Sequence, residues 1–387
     1  MRTVAEKFPN DLDVRTLYAE TMMNLNAWKL WTLDGKPAPG TREILATLEL
    51  VLKRDPRHPG ANHYYIHAVE ASPDPSRGVA AAERLRGMMP ASGHLEHMPA
   101  HIMERVGRYE EASEANRRGI GADLAYLSKT EPLDYYNLVY TVHNYQFLAF
   151  SAAMEGRSEE ALEAARRARQ FVTDDLIATM PGMDWPISEA YSVLVRFGRW
   201  DEMIAEPPPN PRFKALAGGY LYAKAAALAA KGRVAEAKRT VDDLEKLARE
   251  LPADAAGGFN TAKDVLAIGA LIAKARIADA QNEPEQAINL LQQAVAKEDQ
   301  LAYDEPADWF FPVRHLLGAE LLRAGRPKEA EAVYRTDLKR HPANGWALAG
   351  LSAALFAEKN GGTAVRAQLQ TESAWKNADV KLVSSAF

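Results

Sequence analysis

Two short segments carry the residue types best suited to chemistry. Residues 63–70 read HYYIHAVE and residues 97–104 read HMPAHIME, so both are His-x-x-x-His-x-x-Glu. In a helix, spacings of four and three put His63, His67 and Glu70 on one face, and likewise His97, His101 and Glu104. Each member of one triplet lies 34 positions from its counterpart. Five of the nine histidines fall between positions 63 and 101, where a random scatter would put about one.

Neutral imidazole with carboxylate is the ligand set of zinc, non-haem iron, manganese or copper. Two histidines at i and i+4 can hold one ion from a single helix. The first expectation is therefore a divalent transition metal held by His63, His67, His97, His101, Glu70 and Glu104. With three protein ligands and an open position, such an ion can activate water. Glu70 and Glu104 are then the candidate general bases. A second expectation needs no metal: protonated histidines binding an acidic peptide or a small anion. A third is structural, with the imidazoles satisfied by carbonyls and by Glu70 or Glu104.

The elements that must position these groups are helices. The chain has 387 residues, 47% hydrophobic and 26% charged, which describes a folded, water-compatible protein. Alanine is abundant and β-branched runs are scarce, which favours helix. The net charge is −5, and basic residues form no long run, so nucleic acid and anionic membranes are not expected partners. No apolar stretch reaches the roughly 18–20 residues of a membrane span. The opening MRTVAEKFPNDLD has no apolar signal region. Absence of cysteine removes disulfides, thiolate nucleophiles and Cys-type zinc sites, and leaves the compartment open.

A turn-and-restart pattern recurs along the chain. It reads MERVGRYEEASEA around Gly107, MEGRSEEALEAARRA at 154–168 and RFGRWDEMI at 196–204. It returns as AKGRVAEAKRTV at 230–241, AQNEPEQAINLLQQAV at 280–295 and RAGRPKEAEAVYRTDL at 323–338. Intervals of 34 separate Pro56 from Pro90 and Gly198 from Gly232. Such a period means stacked repeats, each burying its apolar face against its neighbours. About nine helix pairs are predicted: 11–56, 59–90, 93–126, 134–175, 184–206, 218–251, 268–300, 311–342 and 345–380. The proline run EPPPNP at 206–211 cannot continue a helix. The expected organisation is an N-terminal array over 1–206 with the histidine-rich groove, a proline-rich break over 207–217, and a C-terminal array over 218–387. Residues 1–8 read as the tail of a further helix, which implies upstream repeats.

These motifs resemble the tetratricopeptide repeat family, and in particular bacterial members with HPGANHYYIHAVEAS-like and GHLEHMPAHIMERVGRY-like segments. The resemblance covers nearly the whole chain. It implies an all-α, right-handed superhelical solenoid, soluble in a bacterial cytoplasm or periplasm. It also implies that the paired triplets, at repeat positions 5, 9 and 12, face a concave groove. His94 and His143 then fall at position 2 of their repeats and Gln146 at position 5, so they join that groove, with Arg105 as a possible anion contact. First helices of adjacent repeats lie about 10 Å apart, and an imidazole with a bond of about 2 Å spans roughly half of that. A shared ion is within reach. The alternative that the family implies is a non-catalytic adaptor docking a protein or peptide in the same groove.

Pro99 sits between His97 and His101. Either a helix starts at Met98 with Pro99 in its first turn, or a helix is interrupted there. His315 falls at position 5 of its repeat without His or Glu companions and is expected to be structural. His58 and His341 sit beside prolines and are expected in loops.

Overall fold

The computed structural model describes residues 1–130, 134–180, 182 and 184–387. Among these the fold is all-α apart from a two-residue ladder pairing Ala256–Gly257 with Asn260–Thr261 and an isolated antiparallel bridge between Trp31 and Pro37. The chain divides into two compact units, Met1–Leu148 and Ala149–Phe387. Among the described residues no helix is long and apolar enough to cross a membrane.

In the first unit, helix α1 (Leu12–Met23) pairs with α2 (Thr41–Arg54), and α3 (Pro59–Glu70) with α4 (Val79–Leu85). Helices α5 (Gly93–His97) and α6 (Pro99–Arg105) together pair with α7 (Tyr109–Leu127). Helix α8 (Val142–Met154), entered through a π-turn over Asn137–Thr141, closes this unit and opens the next. The second unit continues with Ser158–Gln170. Its further pairs are Glu189–Arg196 with Trp200–Ala205, Lys214–Ala230 with Val234–Glu250, and Ala262–Ala280 with Pro284–Glu298. The last two are Val313–Arg323 with Pro327–Arg340 and Gly345–Ala357 with Gly361–Ala374. These are tetratricopeptide-like helix pairs, and they fall where the repeat reading places them. The segment EPPPNP lies between Trp200–Ala205 and Lys214–Ala230, inside the second unit.

One turn chemistry joins the two helices of a pair. Gly107, Gly156, Gly198, Gly232 and Gly325 all have φ between 64° and 78°. That left-handed conformation costs a residue with a Cβ and is nearly free for glycine. In each case the next amide donates back to a carbonyl five residues earlier, as from Arg108 to Met103 at 2.7 Å and from Arg326 to Leu321 at 2.8 Å. This ties off the end of the first helix. The residue after each of these glycines is arginine, and a glutamate follows three residues on. Arg108 pairs with Glu111, Arg157 with Glu160, Arg199 with Glu202, Arg233 with Glu236 and Arg326 with Glu329. Each glutamate sits in the first turn of the second helix, where the helix dipole favours negative charge.

The core of the first unit includes Ile44, Leu48, Val51, Ile66, Val69, Leu85, Met98, Ile102 and Met103. Burying one such side chain contributes about 1.5–3 kcal/mol. Ile66 and Val69 anchor one side of α3, which leaves His63 and His67 on the neighbouring strip, half-buried. Pro59 stands at the first helical position and His58 caps α3, its Nδ1 accepting from the Ala61 amide at 3.1 Å. His58 thus fixes where the histidine-bearing helix begins.

The proline question resolves as an interruption. The helical path starts at Gly93, and Met98 keeps helical angles (φ −48°, ψ −36°) between α5 and α6. Pro99 has no N–H to continue the ladder. The His101 amide donates to Met98 O at 3.3 Å, a tighter i to i−3 bond. His97 and His101 therefore flank the joint, one before it and one after it, along the same helical path.

Candidate metal centre

Three helices and one helix start bring six imidazoles together: His63 and His67 from α3, His94 and His97 from α5, His101 from α6 and His143 from α8. Their donor nitrogens form two sets of three, His63/His67/His94 and His97/His101/His143, within each of which the ligand atoms lie within 4.8 Å of one another. The first set is half-buried; in the second, His97 and His101 are buried and His143 is half-buried.

Close helix packing makes the second set possible. At Gly93 an added Cβ would lie 1.7 Å from Asp123 Oδ1, and at Gly119 it would lie 2.8 Å from Gly93 O and 3.0 Å from the His97 Cβ. Two glycines therefore let α5 and α7 touch backbone to backbone. That contact delivers His97 to Asn116 on α7, and the His97 Nδ1–H donates to Asn116 Oδ1 at 2.6 Å. Buried Asp123 holds the segment leading into α8, accepting from Tyr136 Oη at 2.7 Å and from Asn144 Nδ2 at 2.8 Å. Burial raises its carboxyl pKa, which these donors only partly offset. Asn144 adjoins His143 in sequence, so the clamp on one positions the other.

Glu70 links the two sets. Its Oε1 accepts from His67 Nδ1 at 2.7 Å and its Oε2 from His101 Nδ1 at 2.5 Å. Burial opposes its charge, but the facing imidazoles of His101 and His67 prevail and hold the carboxyl well below the usual range. An imidazole whose Nδ1–H is committed to a carboxylate or amide oxygen presents the Nε2 lone pair, the orientation that metal-ligating histidines adopt. His67, His97 and His101 are all in that state.

The Nε2 atoms then face one another. His97 Nε2 lies 2.8 Å from His101 Nε2, and His143 Nε2 lies 3.5 Å from His101 Nε2. In the other set, His63 Nε2 lies 3.0 Å from His94 Nε2. Burial, then the neighbouring imidazoles His101, His143 and His94, hold the pKa of His97 well below the usual value. The Phe147 ring walls the second set, with centroids 4.8, 4.5 and 4.8 Å from those of His97, His101 and His143.

The remaining candidates stand at the margin. Arg105 donates from Nε to the Glu70 carbonyl at 3.0 Å, supporting the end of α3. Gln146 is buried one turn beyond His143. Glu104 is buried too, and it belongs to neither set of convergent histidines. Asn116, Asp123, Asn144 and Phe147 had no signature in the motif spacing. A buried asparagine in an alanine-rich helix does imply an obligatory hydrogen bond, without naming its partner. His315 lies in the second unit, buried, with Nε2 2.8 Å from Asp337 Oδ2 and Nδ1 accepting from Arg196 Nη2 at 2.7 Å.

No protein-family model matches the chain, and no curated protein matches it. Solved structures similar to it include the human IFIT1 dimer with m7Gppp-AAAA, at 13% identity and TM-score 0.40, covering 98% of this chain and 76% of that one. A monomeric IFIT1 mutant with Gppp-AAAA aligns at 14% identity and TM-score 0.40 over 96% and 75%. The APC/C hetero-tetramer Cut9–Hcn1 aligns at 13% identity and TM-score 0.33 over 95% and 83%. Likeness at this level leaves the chemistry of the site to its own geometry.

Proposed function

We propose that this helical-repeat protein binds a divalent transition-metal ion through His97, His101 and His143. One observation carries the reading: the Nε2 atoms of His97 and His101 face each other at 2.8 Å while both Nδ1 atoms already donate, to Asn116 and to Glu70. Two lone pairs cannot be held nose to nose without a positive charge between them. A proton would serve one pair. The third nitrogen, on His143, makes a set of three acceptors, the number that zinc-type ions take from protein in sites that keep an open position. Tetrahedral bonds of about 2.0–2.1 Å place ligand nitrogens roughly 3.3 Å apart, and the 2.8 and 3.5 Å separations bracket that value. Imidazole donors suit zinc, copper and iron better than magnesium or calcium.

Glu70 serves in this reading as an orienting acceptor rather than a ligand. The Phe147 wall lowers the local polarity and strengthens the hold on a cation paired with that carboxylate.

The test is metal content. Protein stripped with chelator, then dialysed against zinc, should retain metal that His143→Ala loses by one equivalent, with helical circular dichroism unchanged. Cobalt(II) in the same site should show the strong visible absorption of a tetrahedral ion. If His143→Ala and His101→Gln each bind as much metal as wild type, the proposal fails.

A further inference from the structure

We infer a second cation site, formed by His63, His67 and His94, and joined to the first through Glu70. The inference rests on the reading of His97, His101 and His143 as a metal site. It adds a second ion, a different accessibility for that ion, and a dependence between the two.

The geometry repeats the logic of the buried set with different residues. His63 Nε2 and His94 Nε2 lie 3.0 Å apart. His67 commits Nδ1 to Glu70 Oε1 at 2.7 Å, so its Nε2 is the nitrogen offered to a cation. The three rings surround one point, with centroids 5.0 Å apart for His63 and His67, 4.9 Å for His63 and His94, and 6.2 Å for His67 and His94. All three are half-buried, whereas His97 and His101 are buried. The second ion is therefore the one that meets solvent, exchanges faster and binds more weakly.

The two sets abut. The His67 and His101 ring centroids are 5.0 Å apart, and those of His94 and His97 are 6.2 Å apart. Glu70 gives one oxygen to a histidine of each set. A carboxylate behind a metal-bound imidazole sharpens its basicity and fixes its tautomer. Here a single buried carboxylate performs that service for two ions. The repeat period explains most of it: α3 supplies a histidine pair and the glutamate, the next repeat supplies His94, His97 and His101, and α8 of the repeat after that supplies His143. His94, one turn before His97, crosses back to the α3 pair.

Zinc stoichiometry decides it. Equilibrium dialysis of stripped full-length protein against zinc, read by elemental analysis, should give two equivalents for wild type. His94→Ala and His63→Gln should each give one equivalent, and the equivalent they lose should be the faster-exchanging one in a chelator chase. Glu70→Gln should weaken both binding steps by about 10–100-fold. Helical circular dichroism checks that each variant is folded. One equivalent in wild type, unchanged in His94→Ala, overturns the second site and leaves the buried one standing. No metal in wild type overturns both. Two equivalents in both His94→Ala and His63→Gln also overturn the second site. Weakening of only one step in Glu70→Gln overturns the shared carboxylate.

Discussion

Replacing Asn116 by alanine tests the centre while leaving every proposed ligand in place. Asn116 is fully buried, and its Oδ1 accepts the His97 Nδ1–H at 2.6 Å. Alanine leaves that N–H buried without its acceptor, at a cost of about 1–3 kcal/mol to the metal-free fold. It also frees the ring to turn or change tautomer, and loss of such an outer partner typically lowers metal affinity about 10–100-fold. Zinc at 100 times its dissociation constant stabilises the native state by about 2.7 kcal/mol. With about 2.1 cal/mol/K of unfolding entropy per residue, a chain of 387 residues shifts Tm by roughly 1 °C per kcal/mol, so wild type should gain about 3 °C on adding zinc. At the same zinc concentration, a 10–100-fold weaker site retains only about 0.4–1.4 kcal/mol of that stabilisation. Paired melts with and without zinc, followed at 222 nm, provide the assay. The expected result is a lower metal-free Tm and a zinc shift cut to about half or less. An Asn116→Ala protein with the full wild-type shift would refute the claim that this hydrogen bond orients a ligand.

Other expected outcomes follow from the packing. Gly119→Ala puts a Cβ 2.8 Å from Gly93 O and 3.0 Å from the His97 Cβ. Overpacking of this kind costs about 1–3 kcal/mol, so urea melts should show it together with weaker zinc retention. Asn144→Ala removes the donor to Asp123 at 2.8 Å and loosens the start of α8; zinc affinity should fall while circular dichroism at 222 nm is kept, and unchanged affinity would contradict that positioning. In the second unit, burial pushes the His315 pKa down to about 4, below the unfolded value near 6.5. The unfolded chain then binds more protons than the native one across this interval, so stability is full above about pH 6.5 and declines as pH falls toward 4. Urea midpoints measured across that range should fall for wild type and run flatter for His315→Gln.

Much of this molecule was legible in its residues because the relevant information is local. A left-handed glycine followed by arginine, with glutamate three positions on, specifies a helix end and the next helix start within five residues. Five repetitions of that pattern, in series with alanine-rich stretches, marked five of the helix pairs and their order. The 34-residue spacing of the two triplets likewise implied equivalent faces on successive repeats. His315 was legible as structural for the same reason: positions one and two turns onward hold Ala319 and Leu322 rather than ligands.

Helical spacing places His63 beside His67, and His97 near His101, but it does not say which nitrogen of which ring meets which. That depends on how closely α5 approaches α7, which Gly93 and Gly119 decide across 26 residues of sequence. It depends also on which oxygen captures each Nδ1, and those captors, Glu70 for His101 and Asn116 for His97, lie 31 and 19 positions away. The tertiary structure alone divided six histidines into two sets, drew His94 to the α3 pair and His143 to His97 and His101, and placed Glu70 behind both. Residue types and their period determined that imidazoles and carboxylates would share a region; interhelical register and second-partner hydrogen bonds decided where their lone pairs point, because a side chain's orientation belongs to its neighbours in space rather than in sequence.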